Sequence, residues 1–170
     1  TDGLPDSVLS KKVCAIKLNQ GTGIDAMRDP DVFSKNLREK QVVTCFLESK
    51  NEILLLRRSD QVGSYQGKWA GVSGYIETAA DEQALTEIEE ETCLHREDIE
   101  LTGKGSPLQI EDEKLGVKWV VHPYLFYIRD RKKIKIDWEH REARWIDPKD
   151  MDSYQTVPKL KETLARVYKS

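Results

Sequence analysis

Glu87, Glu90 and Glu91 stand out because carboxylates at this spacing can do chemistry together. On a helix turning about 100° per residue, Glu90 lies roughly 60° to one side of Glu87 and Glu91 roughly 40° to the other. The three therefore share one face, and Glu89 points away. Like charges four residues apart destabilise a helix by a few tenths of a kcal/mol, roughly 0.2–0.5. A divalent cation would remove that penalty. Hard oxygen ligands suit Mg²⁺ or Mn²⁺ and not zinc. Mg²⁺ held by few carboxylates keeps positions for water and substrate phosphates, which metal-assisted attack on a phosphoanhydride requires. The plainer reading of nine acidic residues against one base, Arg96, between Asp81 and Glu100 is a solvated surface. Geometry speaks against it, because Ala84, Leu85 and Ile88 occupy the next arc and the glutamates border the buried side.

The elements that must position this face follow from pattern. Asp81 to Thr92 reads as the helix, with Asp81 at the N-cap or in the first turn. Four glycines (Gly63, Gly67, Gly71 and Gly74) mark the loop region before it. Val42 to Leu47 reads as a buried strand, Ser49-Lys50-Asn51 as a hairpin turn, and Ile53 to Arg58 as the returning strand. Gly116 to Arg129, Lys133 to Asp137 and Ala143 to Ile146 read as further strands. Pro158 opens a last amphipathic helix through Leu160, Leu164 and Val167. Residues 1–40 read as an N-terminal extension packed on, or leading into, the domain. They hold a strand at Val13 to Leu18, a turn at Gly21 to Gly23 and a polar helical piece at Asp31 to Lys40. The remainder, 41–170, is a single mixed α/β domain.

Composition bounds the partners. The 170 residues include 27 Lys and Arg against 30 Asp and Glu, a net charge of −3 that lays down no extended nucleic-acid surface. No apolar run approaches the roughly 20 residues of a membrane span. The N-terminus, with Asp2, Pro5 and Asp6, is not expected to be a signal peptide. Three widely spaced cysteines (Cys14, Cys45 and Cys93) and three histidines form no C-x-x-C or H-x-x-x-H pair. A reducing, cytoplasmic setting is expected. Composition leaves a homodimer open.

The stretch GYIETAADEQALTEIEEETCL, from Gly74 to Leu94, resembles the box of the Nudix hydrolase family, G-x5-E-x7-R-E-U-x-E-E-x-G-U, with U bulky and aliphatic. Glu87, Ile88, Glu89, Glu90 and Glu91 match the E-U-x-E-E core. Gly74 matches the opening glycine, and Leu94 the closing aliphatic position. The loop after Gly74 is two residues shorter than the family spacing and lacks its glutamate. Thr86 replaces the arginine, and Cys93 the last glycine. In the family that glutamate and arginine commonly pair to brace the loop, so losing both together is the pattern of a substituted brace. LLLRRSD (Leu54 to Asp60), GKWAGVSGYIE (Gly67 to Glu77), DWEHREARWID (Asp137 to Asp147) and TVPKLKETLARV (Thr156 to Val167) resemble the family's flanking segments.

The resemblance implies a Nudix-like α/β/α sandwich with a mixed sheet, and a cation held by Glu87, Glu90, Glu91 and Gly74. Glu139 and Glu142 lie in the segment resembling the family's acidic loop, where the resemblance implies a glutamate as general base or extra metal ligand; Glu139 is the catalytic candidate, with a solvated cluster of Glu139, Glu142, Arg141 and Arg144 as the alternative. Arg57 and Arg58 end a strand on opposite faces, so one of them can hold a phosphate. Lys68 is a weaker candidate. Trp145 is expected in the core, while Trp69, Trp119 and Trp138 are open as stacking partners for a base. His140 is expected to be structural or exposed, and Cys93 a packed small apolar residue. The function implied is Mg²⁺- or Mn²⁺-dependent hydrolysis of a nucleoside diphosphate linked to another moiety, a small-molecule nucleotide substrate. The alternative is a non-catalytic module that senses a nucleotide or contacts a protein.

Overall fold

The computed structural model describes residues 36–169. Its spine is a parallel pair, β1 (Arg38–Ser49) and β7 (Val117–Ile128), in register from Arg38 opposite Val117 to Glu48 opposite Tyr127. Both strands are rich in β-branched and aromatic residues, which suit a pleated surface covered on its two sides. β2 (Glu52–Arg58) returns antiparallel through Lys50 and Asn51, both at positive φ, 52° and 64°. That conformation makes the two-residue turn whose twist matches the flanking strands. β3 (Trp69–Ala70) and β8 (His140–Ile146) pair with β2, and β4 (Val72–Tyr75) runs antiparallel to β1. β5 (Ile99–Lys104) and β6 (Leu108–Asp112) lie antiparallel to β7, completing an eight-stranded mixed sheet.

Strand alternation sends side chains to two cores. Val43, Cys45 and Leu47 meet α1 (Ala80–Thr92) through Ala84 and Ile88. Phe46, on the other face, meets α2 (Leu160–Ala165) through Leu160 and Leu164, with Leu55 and Ile146. Full burial of Ile88 alone contributes about 1.5–3 kcal/mol. The result is the expected α/β/α arrangement around a mixed sheet.

Four expectations change. Arg38 to Lys40 open β1 and are not helical; the rest of that piece, the strand at Val13 to Leu18 and the turn at Gly21 to Gly23 fall outside the described residues. Lys133 to Asp137 is not a strand: Arg131–Lys133 is a 3-10 turn capped by Asp130, and Lys135 donates its N–H to Thr92 O at 2.9 Å. The alternation there instead packs Ile134 and Ile136 against the core under α1. The last helix starts at Leu160, because Lys159 takes a left-handed conformation (φ 57°) after Pro158. Cys93 is exposed rather than packed, since it ends α1 in the left-handed region.

Candidate active site

The site starts at the short connection from β4 into α1. Ala79 occupies the N-cap and has no side chain to cap with. The helix start is held instead by Asp81, which accepts from Tyr124 Oη at 2.5 Å and pairs with Lys104 Nζ at 2.8 Å. Gln83, which is buried, accepts the Glu77 N–H at 3.1 Å and donates to Glu87 Oε2 at 2.6 Å. One turn further on, Glu87 and Glu91 are 2% and 1% exposed. Glu90 is half-buried, while Glu89 faces solvent and lies 3.1 Å from His95 Nδ1. Gly74 makes the approach feasible, because a Cβ there would overlap the Glu87 carboxyl group.

β8 supplies the facing wall. Its pairing with β2 shifts register between Arg57, opposite Glu142, and Arg58, opposite His140. Such a bulge re-aims side chains and is common beside sites. Here it places Glu139 and His140, both buried, next to the glutamate face, with Ser59 N donating to Glu139 O at 2.8 Å. His140 Nε2 lies 3.5 Å from Glu91 Oε1, and its Nδ1 lies 3.4 Å from Asp137 Oδ1. His140 is thus part of the site, neither exposed nor remote from it. Burial pushes the Glu91 carboxyl well above the usual carboxylate range, and the charges of Glu139, Glu87 and Asp137 push it further. Glu91 Oε2 finds no hydrogen-bond partner.

A buried carboxylate with an orphaned oxygen, beside other carboxylates, is costly unless a cation is present. The donors are all hard oxygens, which fits Mg²⁺ or Mn²⁺. No three Asp, Glu, His or Cys side chains among the described residues form a closed cation cage. Mg²⁺ does not need one, since one or two carboxylates with water and phosphate oxygens satisfy it.

From these carboxylates a cleft of about 290 Å³ runs over the sheet, past Thr44 and Ser73 to Val42, Ile110 and Val121. Its far end is aromatic. Trp119 stands between Tyr65 and Tyr75, with ring centroids 6.5 and 6.2 Å away. Tyr65 Oη donates to Asp112 Oδ2 at 2.6 Å and accepts from Trp119 Nε1 at 3.1 Å, which fixes that wall. Trp69 is core, and Trp145 is half-buried beneath the Arg131 guanidinium, 4.0 Å from its ring centroid. Of the basic candidates, Arg58 lines the cleft, while Arg57 and Lys68 do not. Glu90 does not line it either.

The NUDIX domain family model matches residues 38–168. The chain belongs to the Nudix family. Its kind of activity is therefore that of a pyrophosphohydrolase. Solved Nudix structures repeat the fold at low identity. A MutT protein from Methanosarcina mazei Go1 superimposes with a TM-score of 0.65 at 21% identity, over 76% of this chain and 93% of that one. A MutT Nudix hydrolase from Burkholderia pseudomallei gives 0.62 at 20% identity, over 77% and 99%. A C. elegans Ap4A hydrolase in a binary complex gives 0.59 at 17% identity, over 76% and 94%. A search of curated protein sequences gives no significant match.

The departures from the Nudix box now have positions. Cys93 takes the left-handed cap at φ 65°, where glycine would be unstrained. Thr86 is exposed, and the loop N–H at Glu77 already has Gln83 as its partner. Thr86→Arg is therefore expected to leave kcat within twofold of the wild type. A several-fold gain in steady-state turnover would contradict this.

The two arginines separate as strand alternation requires. Arg57 donates to Gly67 O at 3.1 Å and to Glu142 Oε1 at 3.2 Å, a half-buried pair. Arg58 is held by Ser64 O at 2.9 Å; burial lowers its pKa while Glu91 and Glu139 raise it, and guanidinium stays charged. Arg58→Ala is expected to raise KM about tenfold or more, the loss of one charge-assisted phosphate contact, while Arg57→Ala leaves it within twofold. Michaelis constants for the two variants, measured side by side, decide the assignment.

Proposed function

We propose that this Nudix chain hydrolyses a nucleoside diphosphate linked to another moiety, with Mg²⁺ or Mn²⁺ as cofactor. The observation that carries the reading is one cleft with Glu87, Glu91 and Glu139 at one end and Tyr65, Tyr75 and Trp119 at the other. Glu87, Glu90, Glu91 and the main chain at Gly74 would hold the cation. When bound, it supplies positive charge to the diphosphate as the phosphoanhydride bond breaks. Arg58 holds phosphate oxygens, and the aromatic end stacks the base. The Glu139 carboxylate accepts a proton from the water whose oxygen attacks phosphorus, and the P–O bond to the leaving phosphate breaks. His140, between Glu91 and Asp137, keeps that wall in place. Cys45 and Cys93 are free thiols, which supports a cytoplasmic setting.

The test is a screen of nucleoside diphosphate derivatives with Mg²⁺, scored as phosphate released after phosphatase coupling. Turnover that requires the metal is expected. A chain that turns over nothing, yet binds a nucleotide equally with and without Mg²⁺, would be a binding module instead.

A further inference from the structure

We infer that Gln83 is a positioning residue for the metal-binding carboxylate Glu87, tying it to the loop that enters α1; the inference rests on the hydrolase reading above. The amide spans two elements. Its Oε1 accepts the Glu77 N–H at 3.1 Å, and its Nε2 donates to Glu87 Oε2 at 2.6 Å. The residue is 5% exposed and its bond to Glu87 is buried, so water does not compete for that bond. Both bonds are local to the place where the chain turns from β4 into α1, and Ala79 provides no cap there.

The chemistry of the side chain matters. Glu87 shares its surroundings with the buried Glu91, so its rotamer needs a donor on one oxygen to resist mutual repulsion. A cationic donor would compete with a metal for the same charge. A neutral amide donates to one carboxylate oxygen and adds no charge of its own. The same amide gives the loop N–H of Glu77 its acceptor. Hydrogen-bonded partners of metal ligands typically matter about 10- to 100-fold in affinity or activity.

Mn²⁺ titration followed by electron paramagnetic resonance, without substrate, reads the effect directly. Gln83→Met keeps the volume and removes both bonds; Gln83→Asn keeps both groups on a shorter stem that cannot span the two partners. Both variants are expected to bind Mn²⁺ about tenfold or more weakly than wild type. Their apparent Mg²⁺ requirement in hydrolysis should rise in parallel, with kcat recovering at high metal. Gln83→Asn, which retains polar groups to hold water, serves should Gln83→Met fail to fold. A lowered Tm with unchanged Mn²⁺ affinity in the folded variant would make Gln83 merely structural and overturn the inference. Absence of Mn²⁺ binding by the wild type would instead overturn the hydrolase reading, and this inference with it.

Discussion

Glu91→Gln will lower turnover by about three orders of magnitude and raise the melting temperature of the metal-free protein. The first half follows from the charge that a bound cation places at the breaking phosphoanhydride. Several kcal/mol of such stabilisation, at about 1.4 kcal/mol per tenfold, gives a loss of that order. The second half follows from burial. Glu91 is 1% exposed, its Oε2 has no hydrogen-bond partner, and Glu87, Glu139 and Asp137 bear on it. Glutamine keeps the shape and removes the charge, and a gain of about 1 kcal/mol would appear as a rise of about 2–4 °C in a protein of this size. The sign with pH follows from linkage. The folded carboxyl titrates above the unfolded one, so its contribution is fully present below the unfolded value and is lost as pH rises through the folded one. Metal-free wild type should therefore lose stability from the ordinary carboxylate range towards neutrality, relative to a flatter Glu91→Gln. Melting curves in chelator across that range, with turnover assays alongside, check both halves. A variant that melts lower at neutral pH, or retains turnover within tenfold, would remove Glu91 from the site.

The helix that carries this carboxylate was legible because its determinants are local. The spacing of Ala84, Leu85 and Ile88 predicts Asp81 to Thr92, and the helix runs from Ala80 to Thr92. The same angular argument separates Glu87 and Glu91 from Glu89, which turns to His95 at the surface. What stayed hidden depends on pairing across long stretches of chain. The bulge that sets Glu139 and His140 beside Glu91 exists only in the register of β8 against β2. Tyr75 meets Trp119 because β4 and β7 flank β1 from opposite sides. Tyr65 is half-buried in a glycine-rich loop whose own pattern says only that the chain turns. Gln83 was illegible for another reason: a neutral amide leaves no mark on the charge pattern of the helix. Its position four residues before Glu87 and six after Glu77 was the available signal. The alternation of Ile134 and Ile136 misled, because apolar residues every second position pack equally well on a helix end as in a sheet.

Trp119→Ala should raise KM for the cleaved nucleotide about 5- to 100-fold and leave kcat within a few-fold. Stacking of a base on an aromatic side chain is worth about 1–3 kcal/mol, and that energy is spent equally on bound substrate and transition state. The geometry fits a stacking surface and not a chance exposure. Trp119 is half-buried, Tyr75 lies across from it with the rings inclined by 34°, and the indole N–H is already engaged by Tyr65 Oη at 3.1 Å. That bond helps fix the ring plane, and the ring lines the cleft. Trp119→Phe, which keeps a ring, should raise KM only a few-fold. The decisive comparison uses two substrates with both variants: a nucleoside diphosphate derivative, and a diphosphate with no aromatic base. Discrimination between the two should shrink by nearly the whole KM effect in Trp119→Ala, because a substrate with no base has no stacking to lose. Equal losses on both substrates would place Trp119 in the scaffold of the cleft and remove the aromatic end as the base site.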